Sequence, residues 1–565
     1  MITEVSATRF RFAHALVRGS LYESLTTARQ VALHRRTAEA IEAIHEAALD
    51  DYVPALAHHW AKASAPITDI ARAVKYAQRA GDRALALLAH DEANSYYASG
   101  LELLDAAGTE PTDRRRVELL IGRGEAQRRG GDAGYRQTLL DAARLAGTLG
   151  DARALARAAL ANTLGFLWTT AFTVDADKVE VLEDAIAAIG DDDASVRARL
   201  MATLGLELAW QPDPTRRLAL SAEALQIARS LADPVTLAEV LLARDYTITA
   251  PDNVTERLEA TTELLAIADE VGNPVLASRA LSLRFKAALE MADVAEAERS
   301  LTRNMALVED LGQPGLTWAV RHHEATLLIL REDERAETAV AAAEELGVSI
   351  GNGPIFAEAQ RYSLRPEQGL ADEIEPWYRL LAERSGSPFV KAVHSQLLVD
   401  VGQTSAAAAA FDEIAATGFY HPTNTVAWLG FMIECAWLAA HFGRKDAAPF
   451  LRAKLEPYSH QFVTGAFAGW IGGAVAHYLA LLCRVSEDWE AAEAYFVDAA
   501  VTHERMGSST WLGRTRLEWA RMLLARGRPD DAEQAAELLR QALATARDRG
   551  LTKLEREATQ LLAER

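Results

Sequence analysis

The chain has 565 residues, half of them hydrophobic and a quarter charged, with a net charge of −21. That acidity argues against a general nucleic-acid surface, which needs clustered Lys and Arg to neutralise phosphate. Two cysteines, Cys435 and Cys483, allow at most one disulfide and no thiolate metal cluster, and Met1-Ile2-Thr3-Glu4-Val5 carries no apolar secretion core, so a cytoplasmic location is expected.

Residues 1–60 are the basic end of this acidic chain, with Arg9, Arg11, Arg18, Arg29, Arg35 and Arg36. The words Arg9-Phe10-Arg11-Phe12-Ala13-His14-Ala15-Leu16-Val17-Arg18, Leu21-Tyr22-Glu23-Ser24-Leu25, Leu33-His34-Arg35-Arg36 and Ala55-Leu56-Ala57-His58-His59-Trp60 follow one another here. Together they resemble the segment that joins the ATPase module to the helical repeats in bacterial STAND-type regulators. That group includes LuxR-type transcriptional regulators, the maltose-regulon activator class and cyclase-associated ATPases. The resemblance implies that 1–60 is a winged-helix remnant with connecting helices, and that His14 stands near a nucleotide-facing subdomain. It also implies that tetratricopeptide-like repeats begin after it. Ala93, Tyr97 and Gly100 fit that expectation with a small–large–small order, in which small residues let paired helices approach and the large one fills the gap to the next pair.

Between 111 and 350 a punctuation recurs. Leu149-Gly150-Asp151, Ile189-Gly190-Asp191, Leu231-Ala232-Asp233-Pro234, Val271-Gly272-Asn273-Pro274 and Leu311-Gly312-Gln313-Pro314 follow at steps of 40 to 42 residues. A fixed period of that size marks a solenoid. Gly272 suits the left-handed position past a helix end, Asn273 an N-cap and Pro274 the first helical position. The helix that follows carries Leu276, Ala280, Leu283, Ala287 and Met291 on one stripe, with Arg279, Ser282, Lys286 and Glu290 as its polar edge. Asp293 and Glu296 read as a capping pair opening a second helix. Two helices in forty residues cannot bury both apolar faces alone, so neighbouring pairs must stack. Beyond Gly347, Gly351-Asn352-Gly353-Pro354 and Arg365-Pro366-Glu367-Gln368-Gly369 read as longer turns. The repeat then returns with Ala407/Phe411, Ala447/Leu451, Ala492/Phe496/Ala499 and Ala535/Leu539/Ala542, and Asp446, Asp488 and Asp530 or Asp531 are the expected caps. The stretch from Trp511-Leu512-Gly513-Arg514 to Leu524-Ala525-Arg526-Gly527 resembles the last repeats of the same family. The charge-free run Pro457–Cys483 contains several polar residues and glycines, and reads as a connector and a buried helix rather than a membrane span.

The expected fold is therefore all-α, a tetratricopeptide-like solenoid of roughly a dozen helix pairs. Its expected parts are 1–60, a period-40 region 61–350 and an aromatic-rich region 351–565. None of the eight lysines follows a glycine, so there is no Gly-Lys-Ser/Thr phosphate cradle, and the last residues stay in helical pattern instead of forming a helix-turn-helix. No cofactor is expected in this chain, and ATP enters only if an upstream domain exists. His58/His59 and His322/His323 are adjacent pairs that point about 100° apart on a helix, so no metal is assigned to them. Asp191-Asp192-Asp193 lacks calcium-loop spacing, and no enzyme constellation is found. Six of the eleven tryptophans lie between Trp428 and Trp519. Trp428, Trp437, Phe467, Trp470 and Tyr478 are the candidate groove for an effector or a partner peptide, set against the reading that these rings are inter-repeat core. The expected function is a non-catalytic regulatory scaffold for a STAND-type signalling system. It binds protein partners, an ATPase or DNA-binding subunit among them, and a small effector, with neither direct nucleic acid nor membrane. The alternative is an arm of a longer ATP-dependent LuxR-type regulator or cyclase-linked ATPase.

Overall fold

The computed structural model describes residues 2–6, 9–12, 15–63, 69–163, 173–352, 354–421, 427–465 and 467–564, with side chains from residue 19 onward. His14 lies outside the described residues. The fold is an all-α array, with twenty-eight α-helices and two short two-stranded antiparallel sheets among the described residues.

One repeat shows why these residues make helix pairs. Gly272 takes φ 61°, Asn273 Oδ1 accepts the Leu276 N–H at 3.0 Å, and Pro274 starts helix Pro274–Glu290. Asp293 accepts the Glu296 N–H at 3.0 Å and opens helix Val294–Leu311, which ends at Gly312 with φ 57°. The capping pair is only half formed, because the Glu296 carboxylate is drawn to Arg284 and Arg299. The stripe Leu276, Ala280, Leu283 and Ala287 is buried as expected. The expected polar edge is a correction: Ser282, Lys286 and Glu290 are buried too, because neighbouring helices of the array meet that side, where Asn304 donates to Ser282 Oγ at 3.0 Å, Arg257 pairs with Glu290, and Glu290 holds Lys286 at 2.9 Å. Two further expectations fail. Arg365–Gln368 belongs to helix Ile355–Gln368, since Pro366 one turn from the end forfeits little of the ladder and Gly369, at φ 82°, closes it. Of the expected aspartate caps Asp488 accepts the Ala491 N–H and Asp530 stands at the N-cap of its helix without a side-chain bond, while Asp446 pairs with Arg444 and Asp531 with Arg526.

The chain divides into two compact units, residues 1–162 and 163–565. The expected boundaries near 60 and 350 fall inside them. The first unit opens with the hairpin Ile2–Ser6/Arg9–Phe12 and continues through helices Ala15–Glu23, Thr27–Ile44, Val53–Ala63, Ile70–Ala86, His90–Ala106, Arg114–Gly130, Tyr135–Thr148 and Ala152–Ala161. Tyr97 shows its packing logic. A Cβ at Gly81 or Gly122 would lie 2.7 or 2.4 Å from the ring, so both positions must stay bare for the large residue to fit.

In the second unit the first helix of one pair packs beside the first helix of the next: Ala194–Glu207, Pro234–Thr247, Pro274–Glu290, Pro314–Leu330 and Ile355–Gln368, then Pro388–Asp400, Trp428–His441, Val475–Val485 and Ser509–Arg526. These helices line one side of the array. The array also meets itself at long range: Glu332 accepts the Ser509 and Thr510 N–H groups at 3.2 and 2.7 Å, and Ile355–Gln368 packs on Thr552–Ala563. No helix among the described residues is long and apolar enough to cross a membrane.

The run 457–483 holds an element that periodicity did not show. Its connector contains the hairpin Phe462–Gly465/Trp470–Ala474, ahead of helix Val475–Val485. The hairpin lies on the lining helices, where it touches Pro274–Glu290, Pro314–Leu330, Ile355–Gln368 and Trp428–His441. Its base is tied to residues two hundred positions earlier: Gln461 Nε2 donates to the Pro251 carbonyl at 2.7 Å and Tyr458 Oη to Asp252 at 2.6 Å.

Candidate functional site

The five aromatic residues of the expected groove divide between two places. Phe467 and Trp470 belong to the hairpin and are buried among rings of the array. The Phe467 ring centre lies 4.6 Å from that of His323 and 6.1 Å from those of Trp318 and His322, nearly parallel to the last two. Trp470 sits 5.5 Å from Phe389 and 6.2 Å from Tyr362, over Gly430 and Gly465, where a Cβ would approach it to 2.7 and 2.9 Å. Trp428 is buried edge-on to Tyr458, and Tyr478 donates to the Gly472 carbonyl at 2.7 Å. All four rings are thus buried, Phe467 and Trp470 as parts of the hairpin itself.

Trp437 is different. It is half-buried and lines a cavity of about 220 Å³ with His441, Glu367, Asp400, His477, Arg484, Trp511, Arg514, Glu518, Arg521, Lys553 and Glu557. Helix packing sets this wall. Glu367 ends helix Ile355–Gln368 and Asp400 ends Pro388–Asp400, where they meet Arg514 of Ser509–Arg526 and Lys553 of Thr552–Ala563. Arg514 Nε donates to Glu367 at 2.7 Å and Lys553 Nζ to Asp400 at 2.6 Å. Arg514 also stands 4.6 Å above the Trp511 ring, and Lys553 5.7 Å from that of Trp437. Arg521 reaches Glu518 and Glu557, each at 2.7 Å.

The electrostatics follow from burial and pairing. Burial works to raise the Glu367 carboxyl, yet Arg514 and Lys553 hold it below its ordinary value. Burial likewise opposes the Lys553 charge, and Asp400 and Glu367 restore it. The wall therefore carries four cations, Arg484, Arg514, Arg521 and Lys553, against four carboxylates, Glu367, Asp400, Glu518 and Glu557. Glu367 Oε2 and Asp400 Oδ2 are buried acceptors with no hydrogen-bond partner among the described residues. Nearby, burial raises Glu434 to about 8, and its neutral carboxyl accepts from Tyr362 Oη at 3.2 Å. The cysteines are separate and buried, and burial raises both thiols.

Of the expected groove residues only Trp437 reaches this cavity. Sequence reasoning missed its charged members because they come from helices about 150 residues apart. In the sequence Glu367 reads as part of a turn, and Arg514 as one letter of a family-like word. The usable signal was a charge set where a helix should present its apolar face, as Arg514 is between Trp511 and Leu517.

No protein-family model matches the chain, and no curated protein matches it. Among solved structures it is similar to a chain of the crystal structure titled APC/C hetero-tetramer Cut9-Hcn1. That match has 13% identity and a TM-score of 0.45, and covers 96% of this chain and 99% of the other.

Proposed function

We propose that the chain is a non-catalytic regulatory scaffold whose helical arrays bind protein partners and whose cavity beside Trp437 takes a small effector bearing both charge signs. The observation that carries this reading is the cavity wall, with four cations facing four carboxylates and two buried carboxylate oxygens unpartnered. A wall of balanced charge suits a zwitterion, whose ammonium would meet Glu367 and Asp400 and whose carboxylate would meet the arginines. The finer setting we propose is a STAND-type signalling or transcriptional system, with an ATPase or DNA-binding subunit as partner and ATP bound outside this chain. The family-like words at both ends support it. So does the hairpin Ile2–Ser6/Arg9–Phe12 ahead of the helix pairs, the kind of element a wing contributes.

Calorimetric titration of the full chain with the twenty free amino acids tests the effector reading. Saturable binding of at least one is expected. Lys553→Met should weaken it at least about tenfold by removing one charge from the wall. Binding by none of the twenty, or equal binding by both chains, sinks the effector site.

A further inference from the structure

The first unit brings together three imidazoles that the sequence separates. His34 lies on helix Thr27–Ile44, and His58 and His59 on helix Val53–Ala63. The two helices pack through Ala38, Val53, Leu56, Ala57 and Trp60, and this apolar seam sets the histidines at one level. One nitrogen of each of the three rings lies within 4.8 Å of the others. The ring centres form a near-equilateral triangle, with sides of 5.6 Å (His34–His58), 5.0 Å (His34–His59) and 5.3 Å (His58–His59).

That triangle has the dimensions of a metal centre. With Zn–N near 2.0–2.1 Å and tetrahedral angles, three imidazoles on one ion stand with ring centres roughly 5 Å apart. We propose that His34, His58 and His59 form a three-histidine site for a zinc-class divalent ion, with solvent as the fourth ligand. Adjacent residues on a helix diverge too far to share an ion unaided, which is why His58/His59 alone carried no assignment. His34 arrives from the neighbouring helix and completes the set.

Three observations agree with the assignment. His34 Nδ1 and His59 Nδ1 lie 2.8 Å apart, so two ligand atoms already converge on one point, sharing a proton that an ion would replace. His34 Nε2 lies 2.8 Å from Tyr22 Oη. A proton kept on Nε2 and donated to Tyr22 leaves Nδ1 free to ligate, the outer partner that metal-bound histidines ordinarily have. Burial, and then the neighbouring imidazoles, lower the pKa values of His34 and His59, which keeps them in the neutral form that binds metal. Lys62, one turn beyond His58, is the nearby positive charge that opposes an ion, and it is exposed to solvent. His58 is exposed as well, so its ring is free to close the last part of the distance. A bound ion would staple the first helix pair of the unit.

The test uses the full chain with Zn2+ by competition against a chromophoric chelator, and with Co2+ by visible absorption. One equivalent of Zn2+ is expected, with the intense bands of a tetrahedral Co2+ centre and a melting temperature that rises with Zn2+ concentration. His58→Ala removes an exposed ligand without opening the core and should cost at least about 100-fold in affinity, while Tyr22→Phe, which touches no metal, should cost about tenfold. Binding unchanged in His58→Ala would place the ion elsewhere and overturn the assignment. Absence of stoichiometric binding in the wild-type chain would overturn it equally.

Discussion

At the scale of single residues, burial holds three histidines of the second unit neutral, His323, His477 and His503, and for the last two the hydrogen-bond partners fix which nitrogen carries the proton. The Ala474 N–H donates to His503 Nε2 at 2.9 Å, so that nitrogen carries no proton and His503 Nδ1 does. Thr515 Oγ1, 3.1 Å away, accepts it and turns its own hydrogen to His477 Nδ1 at 2.9 Å. Burial, then Arg514, pushes His477 down to about 3, and burial puts His503 and His323 well below their ordinary value. The unfolded chain therefore takes up protons near pH 6.5 that the folded chain refuses. Stability from each such histidine is fully present above about pH 6.5 and is lost below it at about 1.4 kcal/mol per pH unit. Glu434, raised to about 8, works the other way: its neutral form favours the folded chain at low pH, and that support is lost as pH rises through 8. Asp245 and Glu332 are raised by burial as Glu434 is, but His441, His34, His59 and His90 are lowered as these three histidines are, so seven histidines against three carboxyls leave a net loss on acidification. Urea midpoints should fall between about pH 6.5 and about pH 5, and His477→Gln should remove part of that slope. A midpoint flat over this interval would mean that these histidines are solvated or charged in the folded chain.

At the scale of elements, the turn between helices is the feature that the sequence states most plainly. The left-handed slot recurs at Gly272, Ala292, Gly312 and Glu332, every twenty residues, so it serves the turn within a pair as well as the turn between pairs. Ala232, at φ 50° and exposed, occupies the slot with a side chain that pays for the conformation. Ala232→Gly should raise stability by about 0.5–1 kcal/mol, and Gly272→Ala should lower it by about 1 kcal/mol, measured as denaturation midpoints of the full chain. A loss in the first or no change in the second would show that the slot imposes no strain. These turns and their alternating apolar stripes were legible because each is a local pattern repeated many times. The hairpin Phe462–Gly465/Trp470–Ala474 was not, since Gln461-Phe462-Val463-Thr464-Gly465 lacks alternation and is buried on both faces. Lys286 and Glu290 read as solvated because the groups that take them into the core, Arg257 beside Glu290 and Asp245 near Lys286, stand on other helices, which the stripe of a single helix does not announce. The cavity wall fails to show itself likewise, and the three-histidine cluster shows only two of its members side by side.

At the scale of the molecule, the hairpin changes how the second unit holds together. A solenoid is stabilised repeat by repeat, each pair touching only its neighbours, so local openings stay local. Here one element contacts four lining helices from 274 to 441 and bonds to residues 251 and 252 at its base. Its tip holds Phe467 and Ala468 at φ 58° and 65°, a left-handed conformation that costs a side-chain-bearing residue about 1–2 kcal/mol and persists only under compensating burial. That burial is the stack of Phe467 on Trp318, His322 and His323. Removing the ring should cost about 3–5 kcal/mol and release the strained tip, so the loss spreads through every helix the hairpin bridges. In Phe467→Ala, amide exchange should quicken across helices Pro274–Glu290, Pro314–Leu330 and Ile355–Gln368, far from residue 467 in sequence, while helix Ala176–Ile189 keeps its protection. Exchange measured peptide by peptide decides the matter. If faster exchange is confined to the hairpin and its immediate flanks, the array is an ordinary chain of neighbours and the hairpin only rests on it. If the three distant helices open together, the hairpin is the element that couples them, and a ligand or partner that displaces it would be felt across the same span.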